Sequence, residues 1–222
     1  MKERASLDRA PRAWNERFTN FLPTIGFTVS YTDPSHFVKH QDASKVFLLL
    51  YVDDIIITGT CEHLISAVKL ALQEEFDMKD LSHLHYFLGI EITYLQNGLF
   101  VSQHKYAQDL LHKSGLADCH THCTPCKSGL KLLKTAGSPL QSHDVLQFRS
   151  IVGCLQYLTF TRPDIAFAVN SVCQFLHCPT DEYLIAARRI LRYVKSTMNH
   201  GIMYKRGEYT DLPQLQAFCD AD

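Results

Sequence analysis

The sequence predicts an α+β fold in which an antiparallel sheet with helices, over residues 1–103, precedes a helical region over 104–200. Two observations predict the sheet: the apolar run "FLLLYVDDIIITGT" at 47–60, split by Asp53 and Asp54, and the pair "LHYFLGIEITYL" and "GLFVSQ" flanking Gln96-Asn97-Gly98. A third predicts the helices. After His104 the apolar spacing changes from alternation to steps of three and four residues.

Taken in order, "PRAWNERFTNFLPTIGF" at 11–27 opens on a proline suited to a first helical turn and spaces Trp14, Phe18 and Phe21 along one face, with Pro23 and Gly26 ending the helix. "FLLLYV" and "IIIT" are rich in β-branched and aromatic residues and read as two strands of a hairpin with the acids at its tip, a short helix being the competing reading. Residues 62–76 place Leu64, Val68, Leu72 and Phe76 at i+4 steps, an amphipathic helix with Thr60 as its cap. "KYAQDLLHKSG" is a helix closed by a glycine. Residues 145–160 carry a stripe of Phe148, Ile151, Val152, Leu155 and Leu158, and Pro163 and Asp164 open a helix whose inward residues are Ile165, Ala168, Val169, Val172 and Phe175. A last helix spans 181–197. Residues 127–143 and 199–214 read as connections, and no internal repeat occurs.

Composition narrows the function classes. The 222-residue chain is 46% hydrophobic, enough for a sizeable core, and its formal charge of −1 gives no global field for a polyanion. A nucleic-acid partner therefore needs a local basic surface. The first ten residues are polar, and the one long apolar run is far shorter than the ~20 residues of a membrane helix and carries two charges, so the expectation is a soluble intracellular protein. Eight cysteines without a leader suggest reduced thiols.

Two adjacent carboxylates inside an apolar run must meet water, a cation or a metal, because an unpaired buried charge costs several kcal/mol. Asp53 and Asp54 at a hairpin tip suit magnesium, which prefers oxygen ligands; from spacing alone a polar turn is the simpler account, because aspartate is common in turns. In the last helix Arg188, Arg192 and Lys195 recur on one face, with Arg189 alongside, while Tyr183, Ala187, Ile190 and Val194 form the apolar stripe. Such a face either contacts phosphates or is simply solvated. Cys119, His120, His122, Cys123 and Cys126 have ligand types suited to zinc, but five candidates in eight residues cannot easily converge, which favours a linker. No cysteine is paired with a base in a nucleophile motif.

The ordered series "PRAW", "LLLYVDDIIITG", "FDMKDLSHLHYFLGIEI", "GLFVSQHKYAQDLL", "TPC", "FRSIVGCLQYLTFTRPDIAFAVN" and "RRILRYVKST" resembles the reverse transcriptase of Ty1/copia-type LTR retrotransposon Pol polyproteins, especially plant elements and their remnants in plant mitochondrial genomes. The resemblance covers nearly everything from Pro11 to Asp222. It implies a polymerase palm, C-terminal part, over 1–103, helical thumb and connection over 104–200, and over 201–222 a linker and the first strand of a ribonuclease H domain. It implies an RNA-directed DNA polymerase using magnesium, deoxynucleotides and an RNA or DNA template-primer. By the same resemblance Asp53 is a catalytic metal ligand and Asp54 its supporting neighbour, Tyr51 and Val52 lie beneath the incoming nucleotide and primer end, and Phe87, Leu88, Gly89 and Ile90 belong to the hairpin that grips the primer. Asp220 corresponds to the first metal-binding acid of ribonuclease H.

The departures are as specific. The family's first metal-binding aspartate sits upstream of "PRAW", outside this sequence, and Ala5-Ser6-Leu7-Asp8-Arg9 stands where the family reads Tyr-Gly-Leu-Lys-Gln, placing Arg9 at the nucleotide-facing glutamine. The expectation is a fragment that does not polymerise DNA alone. The alternative is a non-catalytic retroelement remnant that at most binds nucleic acid.

Overall fold

A computed structural model describes residues 10–127 and 137–207, which form two compact units divided after Leu84. The structure is mixed α/β, with two antiparallel four-stranded sheets and six α-helices among the described residues. The sheet and helix content expected from the sequence is present. Compactness and sequence pattern divide the chain differently: the hairpin around Asn97 packs with the helices that follow it.

In the first unit, α1 (Ala10–Phe21) runs into a short 3-10 turn (Leu22–Ile25) that ends at Gly26, whose φ of 90° is a conformation glycine adopts without strain. The strands β1 (Phe27–Val29), β2 (His36–Gln41), β3 (Ser44–Tyr51) and β4 (Asp54–Gly59) then form an antiparallel meander in that order. Side chains alternate along β3: Val46, Leu48 and Leu50 are buried, while Phe47 and Leu49 lie on the opposite, half-open face. The buried face packs on Phe18 from α1, on Leu22 from the 3-10 turn and on Leu64, Val68 and Leu72 from α2 (Glu62–Glu75). Phe76 closes this core, its ring centroid 5.1 Å from that of Phe18, which itself stacks on Trp14 at 5.2 Å. Thr60 is not the helix cap. Its hydroxyl accepts the Lys45 amide at 3.0 Å, satisfying the start of β3, and Cys61 occupies the cap position without a side-chain bond.

The second unit has a sheet of β5 (Tyr86–Phe87), β6 (Ile90–Leu95), β7 (Gly98–Ser102) and β8 (Ile202–Lys205), all antiparallel. Gln96 and Asn97 make the two-residue turn between β6 and β7, as their sequence predicts. The strand β8 falls where the sequence reads as a connection; it pairs from Gly98↔Lys205 to Val101↔Ile202. Gly98 has no Cβ, and one added there would collide with the Tyr204 carbonyl, so glycine permits this close approach. Between β7 and β8 lie α3 (His104–Lys113), α4 (Ser142–Leu158), a 3-10 turn (Pro163–Ile165), α5 (Ala166–Cys173) and α6 (Asp181–Ser196).

Every residue of the stripe expected on α4 is buried, as are Ile165, Ala168, Val169 and Val172, and Phe175 stacks on buried Tyr183 with centroids 4.0 Å apart. Arg162, 2% exposed, is held by both carboxylate oxygens of Asp164 (2.8 and 2.7 Å) and by the Thr197 carbonyl and hydroxyl (3.0 and 2.6 Å). This clamp ties the start of α5 to the end of α6. The described end of the expected 127–143 connection is also fastened: Pro139 bridges to Thr180, and the Leu140 amide donates to the Pro179 carbonyl at 3.1 Å. No helix among the described residues is long and apolar enough to cross a membrane.

Candidate polymerase site and nucleic-acid interface

The β3–β4 hairpin closes through a two-residue turn, Val52 and Asp53, with Tyr51 paired to Asp54. Asp53 is therefore at the tip, and Asp54 is one residue along, in the first position of β4. Tyr51, Val52, Asp53 and Asp54 are all exposed, so water meets both charges and the cost of burying them does not arise. The pairing puts Asp54 on the face it shares with Tyr51, Leu49 and Ile56, opposite the helices. Val52 has φ of 52°, the left-handed region that a β-branched residue rarely occupies. The sequence carries no signal for that strain, which fixes a bulky side chain beside the acids where glycine or asparagine would suit the turn better.

These two acids are brought together by one hairpin, and among the described residues no group of three histidine, cysteine, aspartate or glutamate side chains converges on a metal position. Two carboxylates on one hairpin do not by themselves complete a metal cage. Asp220 and Arg9 lie outside the described residues.

Phe87, Leu88, Gly89 and Ile90 form a second tight turn, in the second unit. Leu88 and Gly89 have φ of 49° and 79°, the pair of positive values of a type I′ hairpin. The Tyr157 hydroxyl donates to the Leu88 carbonyl, and Tyr157 packs edge-on against Tyr106 (centroids 5.1 Å apart) and Phe160 (5.6 Å). Burial and the neighbouring Cys154 thiol push the Tyr106 hydroxyl well above its ordinary pKa, so Tyr106 stays a neutral donor, and it donates to the Cys154 carbonyl. The turn is thus supported by an aromatic bed from α3 and α4, which its own sequence does not reveal.

Arg188, Arg192 and Lys195 share α6 with Arg189, all half-buried. Arg188 donates to Gln147 Oε1 at 3.2 Å, Arg189 to Thr124 Oγ1 at 2.9 Å, and Lys195 Nζ to the Cys119 carbonyl at 2.8 Å. No carboxylate lies within ion-pair distance of any of the four among the described residues. The segment containing Cys119, His120, His122, Cys123 and Cys126 does not gather its side chains around a metal position; it lays its main chain along α6.

Comparison with known proteins bears out the family resemblance carried by the sequence motifs. Residues 2–128 match the family model described as reverse transcriptase (RNA-dependent DNA polymerase). The chain is 45% identical over 216 residues to the retrovirus-related Pol polyprotein from transposon RE1 of Arabidopsis thaliana, covering 97% of this chain and 14% of that protein. It is 47% identical over 177 residues to an uncharacterized mitochondrial protein of Arabidopsis thaliana, covering 80% of this chain and 71% of that one. It is 30% identical over 217 residues to the putative transposon Ty5-1 protein of Saccharomyces cerevisiae, covering 97% and 69%. No solved structure matches. The chain spans 14% of the length of the RE1 polyprotein, so it corresponds to one segment of such a protein. It belongs to the reverse transcriptase family, as a segment of a copia-type retrotransposon Pol polyprotein.

Proposed function

We propose that residues 1–103 are the C-terminal part of a polymerase palm, residues 104–200 thumb and connection, and residues 201–222 a linker leading into ribonuclease H, with Asp220 as that domain's first metal-binding acid. The observation that carries the palm reading is the "YVDD" box on a tight hairpin turn, with both carboxylates in water at the end of a sheet whose other face is buried. Reverse transcriptases use divalent metal ions and a template-primer. In the parent polyprotein Asp53 holds magnesium and Asp54 adds negative potential beside it, while Tyr51 and Val52 form the floor under the primer end and the deoxynucleotide. Phe87, Leu88, Gly89 and Ile90 steady the primer, and Arg188, Arg192 and Lys195 bind nucleic-acid phosphates.

Two carboxylates are fewer than a two-metal site needs, so this chain by itself binds template-primer and does not extend it. Primer extension with magnesium and the four deoxynucleotides tests this, alongside filter binding of the same template-primer. Binding without extension is expected. Extension that disappears in Asp53→Asn would show that the chain carries a complete site.

A further inference from the structure

Residues 116–127 leave α3 and run along α6, and what they meet there is unusual. Gly115, with φ of 67° and open space around it, turns the chain out of α3, and the Leu116 amide donates back to the Leu111 carbonyl at 2.9 Å. From there the strap offers α6 only neutral groups. The Cys119 carbonyl accepts Lys195, the Thr124 hydroxyl accepts Arg189, the His122 carbonyl accepts Ser196 Oγ at 2.9 Å, and the His122 amide donates to the Arg192 carbonyl at 3.3 Å.

The fit is incomplete. The Nε–H groups of Arg189 and Arg192 are buried with no hydrogen-bond acceptor, and a buried donor without a partner is a cost that closure must bear. Partial burial and the charges of Arg189 and Arg192 hold the His122 ring below its ordinary pKa, which disfavours adding another positive charge there, and the strap's one acid, Asp118, makes no ion pair with α6. Two cations, Arg189 and Lys195, are thus bonded to strap oxygens that carry no negative charge, although bonds from guanidinium and ammonium to anionic oxygens are about twice as strong.

We propose that the 116–127 strap is a displaceable cover over a phosphate-binding face of α6, and that a nucleic-acid backbone binds by replacing it. Phosphate oxygens take over the positions of the Cys119 carbonyl and Thr124 hydroxyl and reach the two orphaned Nε–H groups. Arg188, bonded to Gln147 of α4, lies outside the strap and remains in place in both states. The inference rests on the reading of α6 as a nucleic-acid surface and adds how access to it is controlled.

The test uses the full chain and a fluorescein-labelled single-stranded oligodeoxynucleotide of mixed sequence. Thr124→Ala with Ser196→Ala removes two of the strap's side-chain bonds and should tighten binding about tenfold, because the covered state no longer holds back most of the molecules. Arg192→Glu with Lys195→Glu should weaken binding and flatten its salt dependence. Unchanged affinity in the charge-reversed variant would refute the phosphate surface itself. Weakened binding there, with no gain in the Thr124→Ala/Ser196→Ala variant, would refute the strap alone. Hydrogen exchange on the unaltered protein reads displacement directly: the oligonucleotide should speed exchange of the His122 amide, and protection of that amide would overturn the proposal.

Discussion

Replacing Asp164 with alanine should destabilise the second unit more than any change of similar size on its surface. The substitution removes acceptors for Arg162 Nε and Nη2 at 2.8 and 2.7 Å and for the Tyr193 hydroxyl at 2.9 Å. It leaves a guanidinium that is 2% exposed with only the Thr197 carbonyl and hydroxyl. Breaking a buried ion pair by deleting one partner costs about 3–5 kcal/mol, and the 31% exposure of Asp164 places this case near the lower figure. A loss of about 3 kcal/mol lowers the melting temperature by about 10 °C in a unit of this size. Urea unfolding followed by circular dichroism measures it. Replacing both partners by apolar residues, Arg162→Met with Asp164→Leu, should cost less than Asp164→Ala alone. A cost below about 1 kcal/mol for Asp164→Ala would refute the clamp, since an Arg162 that reaches water has no need of its partner.

Acid should erase the same difference. Burial works to raise the Asp164 pKa, but the hydrogen bonds and charge of Arg162 and the Tyr193 hydroxyl outweigh it and hold the carboxyl below its ordinary 3.8. The stabilisation is therefore fully present above that unfolded value and lost as pH falls through the folded one, so unaltered protein and Asp164→Ala should converge in strongly acidic urea titrations. Val52→Gly should stabilise the first unit by about 1 kcal/mol, because it relieves a positive φ that valine tolerates poorly; unfolding of the first unit checks this, and the gain should survive high salt. Leu72→Ala, at a position 1% exposed between α2 and β3, should cost about 2–5 kcal/mol in the same assay.

Local pattern carried most of the helices into the sequence. The stripes on α2, α4, α5 and α6 could be read because each repeats its own apolar residues over several turns, and their burial follows from that spacing alone. The Asp53-Asp54 hairpin was legible for a similar reason, its flanks being short, apolar and β-branched. Its turn was legible only to within one residue: the acids look like a matched tip, yet register places Val52 in the turn and Asp54 in the strand. What the sequence hides depends on partners distant along the chain. The strand β8 becomes a strand because β7 lies beside it, Arg162 looks like a surface charge until Thr197 and Asp164 enclose it, and the cationic face of α6 gives no hint that residues 116–127 lie across it.

The pairing of β8 with β7 sets a limit on where this chain can be cut. Lys205 registers with Gly98, so the second sheet joins residues from both ends of its unit and finishes only after all the intervening helices have been made. Folding during synthesis must hold β7, whose sequence is Gly-Leu-Phe-Val-Ser, without its neighbour until then. A recombinant boundary drawn after residue 128, where the family model ends, would leave that apolar strand with a bare edge and take α6 from the core. Chains expressed to that boundary should aggregate, whereas those carried past Lys205 keep the edge paired.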